Sequence, residues 1–248
     1  MPEIATQELV SIIMPCYNAS HYIKDSINSV LNQTYQNFEL IIIDDLSTDD
    51  SINIINSYSD SRIKLIQLTQ NSGAGIARNT GIEVAQGRFI AFLDSDDLWR
   101  QNKLEVQLEY MKKGQYPLTY TQYQKFSQLG KGKLVIPPNT VTYNELLYCN
   151  VIGCLTAIYD TTILGKQFMP LIRKRQDMGL WLKILSQGHT AYCCPQVLAD
   201  YRTDSGMTQN KLNVAKYQWM FYRQELNFNI IKSTKYFIGY AIKGVIRK

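Results

Sequence analysis

The stretch FLDSDDLW, residues 92–99, places three carboxylates within four positions directly after an apolar run, Ile90 to Leu93. Asp94, Asp96 and Asp97 repel one another, so something must offset the crowding. On an extended segment, side chains two apart point the same way, which lets Asp94 and Asp96 face one ligand. Hard carboxylate oxygens suit Mg2+ or Mn2+, ions that bind through one or two carboxylates plus substrate phosphates. Three other uses fit the same residues. The cluster could be an exposed acidic turn. Asp97 could cap a following helix. Asp94 could be the nucleophile and Asp96 the acid of an aspartyl phosphotransferase. An EF-hand is excluded, because its glycine and distal glutamate are absent.

The elements that must position these acids are legible from periodicity. Residues 10–14, VSIIM, form a β-branched run ended by Pro15. Ser20 is a helix-cap candidate ahead of Tyr22, Ile23, Ile27, Val30 and Leu31 at helical spacing. FELIII (38–43) is a second buried strand, closed by Asp44-Asp45, and Ile52, Ile55 and Tyr58 mark a helix. IKLIQL (63–68) is a third strand, 75–86 a helix, RFIAFL (88–93) a fourth strand, and 100–113 a helix. This β-α alternation predicts an α/β fold, a mostly parallel sheet flanked by helices. Ligands of such sheets lie beyond the carboxyl ends of the strands. Pro15-Cys16-Tyr17-Asn18, Asp44-Asp45 and Asp94 to Asp97 therefore gather along one edge.

After residue 114 the rhythm changes. Residues 115–135 carry a hairpin signal at Gly130 and Gly132. A short helix is expected over 142–149, a strand over 151–159, a helix over 177–187 with Asp177 at its start, and a longer helix over 211–229. The tail 230–248 alternates Ile230, Ile231, Phe237, Ile238, Ile242 and Val245 with five basic residues and no acid. It suits either an anionic membrane interface or a terminal helix packed on the domain.

The whole chain sets limits. Its 248 residues are 45% hydrophobic, enough for a sizeable core. Residues 1–120 carry 9 Lys/Arg against 15 Asp/Glu; residues 121–248 carry 17 against 6. An acidic first half suits a cation site. A basic second half suits phosphates, a polyanion or a membrane face, or is a solvated surface. The five cysteines lack C-x-x-C spacing, which argues against zinc and a disulfide framework and fits the cytoplasm. MPEIATQEL (1–9) does not read as a signal peptide, and no apolar run reaches membrane-span length.

Three motifs in order now bear on function: VSIIMPCYNASHYIKDSINSVLNQTYQNFELIIIDDLSTDD, then NSGAGIARNTGI, then GRFIAFLDSDD. Together they resemble the family 2 glycosyltransferases across residues 10–113, and the likeness continues through RKRQDMGLWLKIL (173–185). The sequence is most similar to non-processive enzymes that build bacterial surface polysaccharides; the Q-x-x-R-W signature of processive synthases is absent. The resemblance implies a GT-A fold over 1–210, with a nucleotide-binding half at 8–113 and an acceptor-binding half at 114–210. C-terminal basic amphipathic helices follow over 211–248.

The resemblance also implies roles. Pro15 and Tyr17 flank the nucleotide base, with Tyr17 stacking on uracil. Asp45 accepts a hydrogen bond from the uracil ring, while Asp44 is structural. Arg78 contacts the nucleotide or makes a helix-surface ion pair. Asn79 and Gly81 serve packing and turn. Asp94 and Ser95 meet the ribose and phosphates, and Asp96 is the Mn2+ or Mg2+ ligand. Asp177 is the catalytic base, in the place of the family's acidic pair, with Gln176 where the preceding acid would stand; it could also cap its helix. Trp181 lines the acceptor site or belongs to the core. Arg202, in YRTDSGMT, is a candidate phosphate contact. The activity implied is inverting transfer of a hexose from a UDP-sugar, with UDP-glucose favoured, to a lipid-linked oligosaccharide of O-antigen or capsule. The enzyme would sit peripherally on the cytoplasmic membrane face through residues 230–248, with no nucleic-acid partner. A non-catalytic nucleotide- or glycan-binding subunit is the second rival, beside the phosphotransferase.

Overall fold

The computed structural model describes residues 8–204 and 211–246. The first-half alternation unfolds as expected. Strand β1 (Val10–Cys16) leads to helix α1 (Ile23–Leu31), β2 (Phe38–Asp44) to α2 (Ser51–Asn56), β3 (Ile63–Gln67) to α3 (Ala74–Val84). Then come β4 (Phe89–Phe92), the short β5 (Leu98–Trp99) and α4 (Lys103–Gly114). The second half contains β6 (Leu118–Ser127), β7 (Gly130–Val135), β8 (Thr140–Val141), α5 (Tyr143–Tyr148), a 3-10 turn at Cys154–Thr156, β9 (Ile158–Asp160) and α6 (Thr161–Leu164). It continues with α7 (Gln176–Leu185), β10 (Ala191–Arg202), α8 (Lys211–Met220), a π turn at Phe221–Glu225 and α9 (Ile230–Ile246).

The two halves share one sheet, in the order β3-β2-β1-β4-β9-β6-β10-β5. Every residue of β1 and β2 is buried, because helices cover both faces of the parallel segment. β1 runs parallel to both neighbours, pairing Cys16 with Asp44 and Ile13 with Phe92. α3 lies close over β1: a Cβ on Gly81 would stand 2.6 Å from Ile13 Cγ2. Beyond β4 the sheet turns mixed. β9 enters antiparallel to β4 and β6, while β6 and β10 are parallel. β5 returns from the acidic turn to pair antiparallel with the end of β10, matching Trp99 with Ala199. That pairing brings Arg202 beside residues 94–97.

Several sequence expectations change. Ser20 is not the cap of α1; Tyr22 holds that position, and the Ser20 N–H donates to Asp49 Oδ2 at 2.9 Å. Of the predicted strand 151–159 only Ile158 and Tyr159 fall in β9, because 154–156 coil into the 3-10 turn. The helix expected over 211–229 stops earlier, passing through the π turn before a break at 226–229. β10 had no counterpart in the sequence reading. Its alternation is broken by Pro195 and by bulges between Cys194, Val197 and Ala199. Trp181 belongs to the core: its side chain is 0% exposed and packs edge-on against Phe92, 5.9 Å between centroids. It therefore cannot line an acceptor surface.

The C-terminal helices dock on the second half. Tyr222 of the π turn donates to the Leu147 carbonyl at 2.5 Å. α9 lays Tyr236 against Tyr148 of α5, 4.9 Å between centroids, and Tyr240 accepts from Arg175 Nη2 at 2.9 Å. Its other face leaves Ile231, Ile238 and Ile242 exposed beside Lys232 and Lys235.

Candidate active site

The site is assembled where β1, β2 and β4 end. Past β1, Asn18 takes a left-handed conformation (φ 48°). Its side-chain oxygen accepts from the Thr48 N–H at 2.8 Å, and its own N–H donates to Ser47 Oγ at 2.9 Å. The Ala19 N–H donates to Ser51 Oγ at 2.8 Å. The β1–α1 loop is thus fastened to the β2–α2 loop, and Tyr17 between them stays 52% exposed, its ring open to a planar ligand. Pro15 lies within β1, opposite Ile43. Asp45 is buried; its two oxygens accept from the Ser72 and Gly73 N–H groups, both at 2.7 Å. Each oxygen keeps a second lone pair for a ring N–H. Asp44, also buried, accepts from the Ser47 N–H at 3.1 Å through Oδ2 while Oδ1 has no partner, which fits a role inside the fold.

The crowding of the DSDD segment is relieved by giving each acid a different environment. The Asp97 N–H donates to the Asp94 carbonyl at 3.1 Å, closing a turn with Ser95 and Asp96 at its centre. Asp94 pairs with the Arg78 guanidinium. Asp97 is buried, and its Oδ1 accepts from the Arg202 N–H at 2.8 Å, so it does not cap α4. Burial, then the neighbouring Asp94 and Asp96, push its carboxyl well above the usual range, favouring the neutral acid. Asp96 lies half-buried in the turn, its carbonyl accepting from Arg202 Nε at 2.9 Å. Ser26 Oγ stands 2.9 and 2.8 Å from the Ser95 and Asp97 carbonyls and donates to them.

Arg202 is therefore committed to this turn. Its guanidinium is sandwiched between Tyr22 and Phe126, 4.4 and 4.5 Å from their ring centroids. Part of the segment that suggested it as a phosphate contact, residues 205–208, lies outside the described residues.

Arg78 is the centre of the cluster. Only 8% of its side chain is exposed, and its Nε has no partner. Burial opposes its charge, but Asp94, and at longer range Asp177, hold it above the ordinary arginine value. It is not a surface ion pair. Asp177 stands in the first turn of α7, half-buried, with Oδ2 accepting from Asn150 Nδ2 at 2.8 Å. The cap position is Arg175, so Asp177 is not the cap. Cys154 lies in the same cluster; burial pushes its thiol well above the ordinary range, so it is no ready nucleophile. Asn79 exchanges two hydrogen bonds with the Met169 backbone, 2.9 and 2.8 Å, tethering the loop before α7.

Comparison with known proteins shows the family. The family model "Glycosyl transferase family 2" matches residues 11–140. The chain is 42% identical over 97% of its length, and 97% of the relative's, to TuaG of Bacillus subtilis strain 168. TuaG is a glycosyltransferase assigned provisionally to teichuronic acid biosynthesis.

The chain is a family 2 glycosyltransferase.

A second relative of this transferase is WfgD of Escherichia coli, a UDP-Glc:α-D-GlcNAc-diphosphoundecaprenol β-1,3-glucosyltransferase. It is 41% identical, over 96% of this chain and 94% of WfgD. Among solved structures, Staphylococcus aureus TarS 1–349 in complex with UDP superposes with a TM-score of 0.69. That match covers 94% of this transferase and 70% of TarS at 21% identity, a likeness of fold. Of the residues singled out from sequence, Pro15, Tyr17, Asp45, Asp94, Ser95 and Asp96 lie in or just past β1, β2 and β4, Arg78 pairs with Asp94 from α3, and Asp177 stands at the start of α7. Trp181 lies in the core, and Arg202 meets the DSDD turn from β10. Asn150 is new. As a lone asparagine in a loop it carries no spacing signal; only the fold places it against Asp177.

Proposed function

We propose that the transferase moves a hexose from a UDP-sugar, UDP-glucose being the favoured donor, to a hydroxyl of a lipid-linked glycan with inversion at the anomeric carbon. Its setting would be bacterial surface polysaccharide synthesis, of the O-antigen or capsule type. The observation that carries this reading is that the buried Arg78 guanidinium pairs with Asp94 of the acidic turn and feels Asp177 at longer range. That arrangement ties the proposed donor turn and the candidate base to one buried positive charge. The donor and acceptor chemistry named for WfgD supports the substrate classes.

The residues divide the work. Tyr17 stacks on the uracil, and Asp45 accepts from its ring N–H. Asp94 and Ser95 lie along the ribose and phosphates. Asp177 takes the proton of the acceptor hydroxyl as that oxygen bonds to the sugar C1, and the C1–O bond to the diphosphate breaks, releasing UDP. A positioned base of this kind gives roughly 10²–10⁴-fold in rate. Direct displacement leaves an α-linked donor sugar β-linked in the product. Asp96, at the position that matches the family's metal ligand, is the carboxylate proposed to hold a divalent ion. Among the described residues no group of three or more His, Cys, Asp or Glu side chains is arranged to hold a metal. A site completed by substrate diphosphate needs no such group. Mn2+ or Mg2+ bound there would supply neutralisation of charge on the departing diphosphate.

No helix among the described residues is long and apolar enough to cross a membrane. The exposed isoleucines of α9, flanked by Lys232 and Lys235, suit a peripheral attachment to an anionic bilayer, at the cytoplasmic face. A non-catalytic binding subunit is opposed by the retention of Asp45, Asp96 and Asp177.

A donor screen tests the reading. UDP-glucose, UDP-galactose and their N-acetyl forms are offered with a synthetic GlcNAc-diphospho-undecyl acceptor. The expected result is transfer from one of them, with a β linkage by NMR coupling constants. Transfer only from guanine- or thymine-nucleotide sugars, or retention of the α configuration, overturns it.

A further inference from the structure

We infer that Asn150 is the positioning residue for the Asp177 base, and that residues 150–156 form a rigid spacer between the base and the donor turn. The inference rests on Asp177 acting as the base. Asn150 Nδ2 donates to Asp177 Oδ2 at 2.8 Å, while Asn150 Oδ1 accepts from the Ile152 N–H at 3.2 Å. The second bond fixes the amide orientation, since only its NH2 can then face a carboxylate. With Oδ2 held, the carboxylate plane is set and Oδ1 is the oxygen presented to an acceptor hydroxyl.

The other end of the segment is tied to the donor side. The Leu155 carbonyl accepts from Trp99 Nε1 at 2.8 Å, and Trp99 lies two residues past Asp97. The next carbonyl, Thr156, accepts from Gln107 Nε2 at 2.9 Å and from Lys103 Nζ at 3.3 Å, both from α4. Between these anchors the 3-10 turn gives a short, stiff path. The donor turn and the base are thus referenced to one strip of backbone. A small misplacement of a reacting group can cost about 100-fold in rate.

The test uses the full chain, with UDP-glucose and the GlcNAc-diphospho-undecyl acceptor, and four variants. Asn150→Asp keeps the shape but removes the donor and sets a like charge against Asp177. Asn150→Leu removes it without charge. Asn150→His retains a ring N–H donor, and Asp177→Asn is the control for the base. The expected result is a kcat loss of about 30-fold or more in the Asp and Leu variants. UDP affinity stays within twofold, the melting temperature is little changed, and the His variant recovers part of the rate. The inference is overturned if those variants keep kcat within threefold of wild type while Asp177→Asn is inactive. It is equally overturned if they lose UDP affinity along with rate, which would mark a merely structural role. Transfer retained by Asp177→Asn instead removes the base assignment on which the inference rests.

Discussion

At the scale of single residues, the site works by giving similar groups dissimilar surroundings. Asp94 meets a guanidinium, Asp97 is sealed under Arg202, and Asp96 remains in the turn where a diphosphate would arrive. Tyr17 is exposed because the loops on either side are bound to each other and not to it. Replacing Tyr17 by Ala should therefore weaken UDP binding by about 1–3 kcal/mol, the range for base–aromatic stacking, without altering thermal stability. Calorimetry against UDP checks this, and unchanged affinity would remove Tyr17 from the base site. Asp177→Asn should lower kcat by about 10²–10⁴-fold and leave UDP affinity as it was, measured by transfer assay and calorimetry on the same preparation. Most of these positions were legible in the sequence because strand ends in a parallel sheet gather at one edge. For Arg202 and Trp181 the residue type alone left a ligand role open; burial settles Trp181 into the core, the second of its two readings, and places Arg202 against the acidic turn.

At the scale of elements, the first half followed from periodicity because its strands are mostly apolar or alternating runs with a turn signal at the end. In the second half the hairpin at Gly130 and the helices at 143–148 and 176–185 were legible, but the strands were less so. β10 hides behind Pro195 and two bulges, and β9 contributes only three residues. Yet β10 carries Arg202 against the DSDD turn, so the acidic turn depends on an element with almost no sequence signature. Of the two readings of the tail, α9 shows packing on the domain, and membrane attachment through its outward face is the proposal. Tyr236 and Tyr240 dock it, and Ile231, 82% exposed, with Ile238 and Ile242 forms an outward stripe. Lys232→Glu combined with Lys235→Glu should reduce binding to anionic vesicles by about 1 kcal/mol per residue, with neutral vesicles little affected. Vesicle sedimentation measures it, and equal loss on both vesicle types would mean that attachment is not electrostatic.

At the scale of the molecule, the acidic turn follows β4 of the sheet and the proposed base stands in the first turn of α7, so the fold and the proposed function share their anchors. Lys103 is the clearest case. Its side chain is 0% exposed, its amine lies 4.8 Å from the Trp99 ring centroid, and it helps hold the Thr156 carbonyl. Burial pulls its pKa from the ordinary 10.5 down to about 7. Between those values the unfolded chain holds a proton at Lys103 that the folded chain lacks, so the contribution of this one group to stability rises with pH over this window. The slope contributed is up to about 1.4 kcal/mol per unit. Lys103→Met should flatten it, as read from denaturant melts between pH 7 and 10, and an unchanged slope would mean the folded protein keeps Lys103 charged. The central claim, that the acidic turn holds a nucleoside diphosphate with a divalent ion at Asp96, is tested most directly by calorimetry of UDP with and without Mn2+, for the wild type and for Asp96→Ala. The account predicts that UDP binds, that Mn2+ tightens the binding, and that the substitution abolishes the gain. Absence of UDP binding under both conditions, or an Mn2+ effect that survives Asp96→Ala, would contradict it.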